Sequence, residues 1–204
     1  MFATSLVVGA AAGVLERTRP GTKLPRVSGW KPRAAAFVIV ELLLVLGTVI
    51  AWFALIEAPA LLSLADEPVW FQVSANWLLS TLVFYWWHRA RHEVDVLWRL
   101  FHQIHHSPQR LEVITSFYKH PVEMVVNSML GSLLVFGLMG LGPEAAAIYT
   151  LSTALGEFFY HTNVRTPHWV GYVFQRPEMH RIHHEHGQHR DNYGDIVWWD
   201  MLFG

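Results

Sequence analysis

Thirteen histidines lie between His88 and His189, and the first 87 residues contain none. Three sets have the spacing of metal ligands. His88 and His92 stand four apart, His102, His105 and His106 are spaced i, i+3, i+4, and His180, His183 and His184 repeat that triple. On a helix each set projects from one face, with its side chains a few ångströms apart. Neutral imidazole is a good ligand for iron, zinc and copper. These eight nitrogens are more than one ion normally takes, so the pattern implies two metal ions. The chain has no cysteine. Thiolate zinc sites, iron–sulfur clusters and disulfides are therefore excluded, and histidine, carboxylate or backbone oxygen must hold any metal. One HxxxH alone is weak. The ordered set of three, each just outside an apolar stretch, is specific.

The elements that position these residues are apolar. Of 204 residues, 52% are hydrophobic and only 15% charged, against about 25% charged in an ordinary soluble domain. Residues 2–15 form a short apolar run read as a short or truncated membrane helix, followed by a basic loop at 17–33. Residues 34–56 carry one charge, Glu41, and at about 1.5 Å per residue can cross a hydrocarbon core of about 30 Å. An external turn with Glu57, Pro59, Asp66, Glu67 and Pro68 precedes a second span at 70–87, which ends in Tyr85-Trp86-Trp87, an interfacial belt. Residues 88–119 read as polar and helical. Two further apolar segments, 122–141 and 144–160, are joined by Gly140-Leu141-Gly142-Pro143, and 161–204 reads as a polar tail. All 15 Lys and Arg fall in 17–33, 89–119 and 165–190, which the positive-inside rule places in the cytoplasm. The expectation is an all-α, multi-pass integral-membrane bundle of about four spans, in a bacterial inner membrane or endoplasmic reticulum. A cytoplasmic helical cap gathers the histidines. Residues 1–69 form the N-terminal membrane segments and basic loop, and 70–204 the catalytic domain. No basic stretch interleaved with aromatics suggests nucleic acid.

The strings His88-Arg89-Ala90-Arg91-His92, His102-Gln103-Ile104-His105-His106 and His180-Arg181-Ile182-His183-His184 resemble the histidine motifs of the fatty acid hydroxylase/sterol desaturase superfamily. Asn192-Tyr193-Gly194 and Trp199-Asp200-Met201-Leu202-Phe203-Gly204 are similar to the close of that domain. The resemblance covers roughly residues 70–204. It implies a cytoplasm-facing di-iron centre, O₂-dependent oxidation of a lipid C–H bond, and the eight clustered histidines as ligands. It also makes His161, after the Phe158-Phe159-Tyr160 run, a ninth candidate, with Asn163 or a water completing its shell, since Arg165 stands where some members have a second histidine. His120 is similarly a ligand or orienting neighbour, or else an interfacial histidine bonded to backbone. Glu157, one turn before His161, is placed to orient a ligand imidazole, as are Glu112 and Glu123. A salt bridge to arginine is the alternative for Glu112. Asp195 and Asp200 are candidates to act on the C-terminal triple. Arg89 and Arg91 read as head-group or topology charges, and His168, His186 and His189 as solvated or as neighbours that support a ligand.

The implied chemistry is redox. Iron can activate O₂ toward an unactivated C–H, giving alcohol or alkene, whereas zinc cannot, although zinc can occupy imidazole sites on purification. The substrate, a sterol, fatty acyl, ether lipid or carotenoid, would enter from the bilayer past Trp86, Trp87, Phe101, Phe117, Tyr118 and Phe159, unless these form an interfacial belt. Electrons must come from an external donor, because the chain has no Rossmann glycine fingerprint and no iron–sulfur ligands. Arg99, Arg110 and Arg181 could dock an acidic carrier. The alternatives are a zinc-dependent membrane hydrolase and a non-enzymatic haem or metal protein. The first wants HExxH, which neither His92-Glu93 nor His184-Glu185 completes. The second wants ligands deep within spans rather than just outside them.

Overall fold

The computed structural model of the chain describes residues 2–56, 59–188 and 190–204. Glu57 and His189 lie outside them. Among the described residues the fold is all-helical, with a single isolated bridge between Phe174 and Ile196 and no strand. In chain order the helices are α1 (Phe2–Thr18), α2 (Trp30–Leu55), α3 (Val69–Glu93), the short α4 (Asp95–Leu97) and α5 (Gln103–His106), then α6 (Pro121–Ser132), α7 (Pro143–His161), α8 (Pro177–His183) and α9 (Val197–Phe203). A wider π-type turn, Trp98–His102, links α4 to α5, and another, Leu133–Leu138, extends α6. Helices α6, α7 and α8 each begin with proline at their first position, where the missing N–H costs nothing and φ is already helical.

The long helices α2, α3, α6 with its extension, and α7 occupy the four apolar segments. Two of them, Trp30–Leu55 and Pro121–Leu138, are long and apolar enough to cross a membrane. Helix α3 carries a polar stripe, and that stripe is the side it buries. Gln72, Asn76, Ser80, Thr81 and Tyr85 face inward while Trp70, Phe71, Leu78 and Trp86 face out. Polar residues inside and large apolar ones outside is the arrangement that a lipid surround favours. Helix α2 packs on α6, and both α1 and α3 pack on α7. The 161–204 segment is not the uniformly polar tail its composition suggests. It folds into α8 and α9 and exposes Trp169, Tyr172, Trp198, Met201 and Leu202.

The far end of the α6–α7 hairpin is closed by Gly140, at φ +57°. Around it the 60–64 segment is pinned by Leu61 N–H to Gly137 O, Leu62 N–H to Leu138 O and Leu64 N–H to Met139 O, each 2.9 Å. A Cβ on Gly140 would lie 2.5 Å from the Ala60 Cβ. Gly140→Ala therefore combines a left-handed backbone with a clash. It should lower thermal stability by about 2 kcal/mol or more, read as a drop in unfolding midpoint, while Gly47→Ala, with open space around it, should not.

Candidate metal centre

The fold brings together all nine ligand candidates, in two groups. His88, His92, His102, His106 and His183 form one, and His105, His161, His180 and His184 the other; within each, the facing nitrogens lie within 4.8 Å of one another. The partition follows from helical geometry. At about 100° per residue, i+4 lies about 40° from i on one side and i+3 about 60° on the other. Accordingly each i, i+4 pair stays together: 88 with 92, 102 with 106, 180 with 184. Each i+3 histidine, His105 and His183, crosses to the other group. A triple thus does not stay within one group; it straddles both. The groups touch through His106 and His184, whose rings stack at 4.1 Å and 9°.

Nitrogen separations match a coordination shell. Nε2 atoms of His88 and His92 are 3.3 Å apart, His88 and His183 3.1 Å, His105 and His161 3.2 Å, His161 and His180 3.2 Å, and His180 and His184 3.1 Å. Ligands at about 2.0–2.1 Å from one ion stand about 2.9–3.4 Å from each other. The buried Nε2 of His102 has no hydrogen-bond partner, a costly state unless something else satisfies it. The residues therefore fit metal ions. Burial, reinforced by the neighbouring imidazoles and Arg91, holds His88 and His102 well below the ordinary histidine pKa; burial and adjacent rings do the same for His105, His106 and His180. Neutral rings are what metal binding requires.

The opposite edges of five of the nine rings meet acceptors. Nδ1 of His88 faces Tyr193 O at 2.8 Å, that of His183 faces Asp191 O at 2.7 Å, that of His161 faces Glu157 O at 2.8 Å, and that of His105 faces Tyr118 O at 3.3 Å. Asp191 and Asn192 adopt positive φ, and the Asp200 carboxylate accepts from Tyr193 N–H at 2.7 Å and Gly194 N–H at 2.9 Å. The Asn192-Tyr193-Gly194 and Asp200 motif thus shapes a turn whose carbonyls hold one imidazole from α3 and one from α8. Nδ1 of His102 instead meets the Glu123 carboxylate at 3.0 Å, which also pairs with Arg91.

Several expected roles differ. Arg91 is no head-group charge, being buried against Glu123. Glu157 orients His161 through its backbone oxygen, while its carboxylate pairs with Lys119. Asn163 does not complete the shell of His161, because both ends of its amide are used: Oδ1 accepts from Thr22 and Arg181, and Nδ2 donates to Thr22 O. Asp195 bonds Tyr160 rather than the triple, and burial, then the charge of Glu157, pushes its carboxyl up to about 6. Asp200 acts on backbone, not on a ring. His120 caps α6, its Nδ1 accepting from Val122 N–H at 3.2 Å. His168 and His186 are exposed. Arg110 binds Glu112 and Pro25 O, and Arg181 binds Asn163; Arg99 is exposed and pairs with Asp95.

A cavity of about 690 Å³ opens from His88, His102, His105, His161 and His180 down between α2, α3, α6 and α7. Its Phe and Tyr walls are Phe53, Phe84, Tyr85, Phe136, Tyr149, Tyr160 and Tyr193, and none of the six aromatics expected at the entrance lines it. Near the histidines it is polar. Lys119 is buried there, against Glu157 and with Glu41 at 3.9 Å. Burial works to lower the Lys119 pKa, but the two carboxylates outweigh it and hold it above the ordinary lysine value. The lone charge in the 34–56 apolar run was the available signal for this cluster, since an isolated acid in a span generally faces a partner.

The family model for fatty acid hydroxylase matches residues 73–204. Ornithine lipid hydroxylase OlsE of Rhizobium tropici is 33% identical over 142 residues, covering 67% of this chain and 42% of its own length. Alkylglycerol monooxygenase of Homo sapiens is 29% identical over 127 residues, covering 59% of this chain and 27% of its own. Sphingolipid C4-hydroxylase sur2 of Schizosaccharomyces pombe is 25% identical over 124 residues, covering 59% and 42% respectively. The chain spans less than half the length of these relatives. No solved structure matches it.

Proposed function

This chain belongs to the fatty acid hydroxylase family, and on that premise we propose that it is a multi-pass membrane oxygenase that holds two iron ions and uses O₂ to hydroxylate a C–H bond of a polar-headed lipid. The observation that carries the reading is the pair of convergent histidine groups at one end of a cavity between apolar helices. Five imidazoles in one group exceed the four ligands that zinc ordinarily takes, which favours iron. The distribution of Lys and Arg favours a cytoplasmic cap over four spans, with residues 70–204 as the catalytic part.

Bound there, an iron pair supplies the one-electron and O₂ chemistry that no side chain provides. The balance is R–H, O₂, two electrons and two protons giving R–OH and water, with the electrons from an external donor. The chain's own residues do the rest. Carbonyls of Tyr118, Glu157, Asp191 and Tyr193 set the rings of His105, His161, His183 and His88 so that Nε2 faces inward. Tyr160 and Asp195 form part of the cavity wall beside the histidines. Lys119 and Glu157 offer a polar seat near the histidines, and the apolar part beyond takes an aliphatic chain. A volume of about 690 Å³ is within the usual range of a small-molecule site, about 300–1,000 Å³. The relatives are named for an ornithine lipid, an alkylglycerol and a sphingolipid. That supports a headed, chain-bearing lipid over a sterol or carotenoid, and hydroxylation over desaturation.

The test compares lipid extracts of cells expressing the protein or its His105→Ala variant under ¹⁸O₂. A lipid heavier by one labelled oxygen should appear only with the unsubstituted protein, and chelation of the purified protein should abolish the activity. A zinc-loaded protein that transforms lipid without O₂ would overturn the oxygenase in favour of a hydrolase.

A further inference from the structure

A second cavity, of about 700 Å³, lies on the opposite side of α7 from the histidines. Tyr160, His161, Glu157 and Thr153 face the first cavity. Leu155, Phe158, Phe159 and Thr162, turned by about half a helical revolution, face the second. Its other wall is α1, which presents Val8, Ala12 and Leu15 along one face. The groove is therefore formed with a helix that precedes the family-matched residues 73–204.

One end of this apolar trough is basic. Arg19, just past α1, and Arg165, four residues past α7, both line it and both are exposed. Arg165 spends only its Nε, on Gly21 O at 3.2 Å. Neither arginine forms an ion pair among the described residues. The acids nearby are engaged elsewhere. Glu16 accepts from the N–H groups of Val113 and Asn163, and Glu178 from Thr166 while it pairs with Arg176. From Arg19 to Val8 the helix descends about 16 Å, so the charges sit at the level of the histidine cap and the apolar walls run away from it. Cationic mouth and apolar shaft together have the shape of an anionic amphiphile in a membrane leaflet.

We propose that the α1–α7 groove binds an anionic phospholipid, with the phosphate between Arg19 and Arg165 and an acyl chain along Val8, Ala12, Leu155 and Phe159. This lipid is not the substrate, because α7 separates it from the metal centre. It buttresses the helix that carries His161. The inference rests on α7 crossing the membrane but not on the oxygenase chemistry.

The test uses the full chain purified in detergent, with dioctanoyl-phosphatidylglycerol, dioctanoyl-phosphatidylcholine or inorganic phosphate added, and reads the thermal unfolding midpoint and the bound mass by native mass spectrometry. Phosphatidylglycerol should raise the midpoint in a concentration-dependent way, and the other two should not. Arg19→Gln with Arg165→Gln should weaken that response by about tenfold or more. Ala12→Phe, which fills the shaft and leaves both arginines, should abolish it, so the proposal stays exposed even where the double variant folds poorly. Equal effects of the two lipids, an equal effect of inorganic phosphate, or an undiminished response in Ala12→Phe overturns it. Metal content of the same samples is measured in parallel. An unchanged metal content alongside any of these results removes the lipid site and leaves the oxygenase reading standing.

Discussion

Replacing His161 by alanine is expected to take the protein from two bound metal ions to one and its lipid oxidation below about 1% of the unsubstituted rate. The reasoning is geometric. His161 sits at the middle of the four-membered group, with its Nε2 3.2 Å from both His105 and His180. Without it three imidazoles remain there, while the five-membered group keeps every ligand. Chemistry shared between two ions is lost when either leaves. The ring is almost wholly buried, at 1% exposure, so water does not substitute for it freely. Metal analysis of iron-reconstituted protein reads the first expectation and product formation the second. His168→Ala, at an exposed position outside both groups, should keep two ions and full activity. Retention of two ions by His161→Ala would remove His161 from the ligand set, and retention of activity would remove the two-ion mechanism.

The same residue shows what the sequence could carry and where it stopped. Spacing brought the three clusters into view because i, i+3 and i+4 are local, and a helix converts them into neighbours without reference to the rest of the chain. His161 has no partner at such spacing and rested on resemblance. The rule that i+3 crosses to the second group was also latent in the spacing, but it appears only once two centres are allowed. What stayed hidden is long-range. Arg91 finds Glu123 across 32 residues, Lys119 finds Glu157 across 38, and His88 finds the carbonyl of Tyr193 across 105. No periodicity records those distances, so Arg91 read as a topology charge and Glu157 as a direct orienter of His161. The entrance aromatics failed for a related reason. An interfacial tryptophan and a cavity wall have the same composition, and only the packing of α2 against α6 decides which side chains the cavity meets.

The Arg91–Glu123–His102 chain leads to the second large expectation, because it joins folding to metal affinity. Glu123 is fully buried and Arg91 nearly so, and the carboxylate serves both the guanidinium and the His102 Nδ1. Glu123→Ala strands a cation inside the cap and removes the acceptor that aligns His102. Breaking a buried pair by deleting one partner costs about 3–5 kcal/mol, and loss of an orienting acceptor typically weakens metal binding by about 10–100-fold. The unfolding midpoint should therefore fall sharply, and the loss of metal should begin in the five-membered group, since His102 belongs to that one. Glu123→Gln separates the two effects. Its amide oxygen can still accept from Arg91 or His102 but offers no charge, so folding should be partly restored while metal affinity stays reduced. Competition with a chelator followed ion by ion gives the readout. If both groups lose metal in parallel, or if the alanine variant is as stable as the parent, the carboxylate is only filling space, and the buried charge chain has no part in holding the centre together.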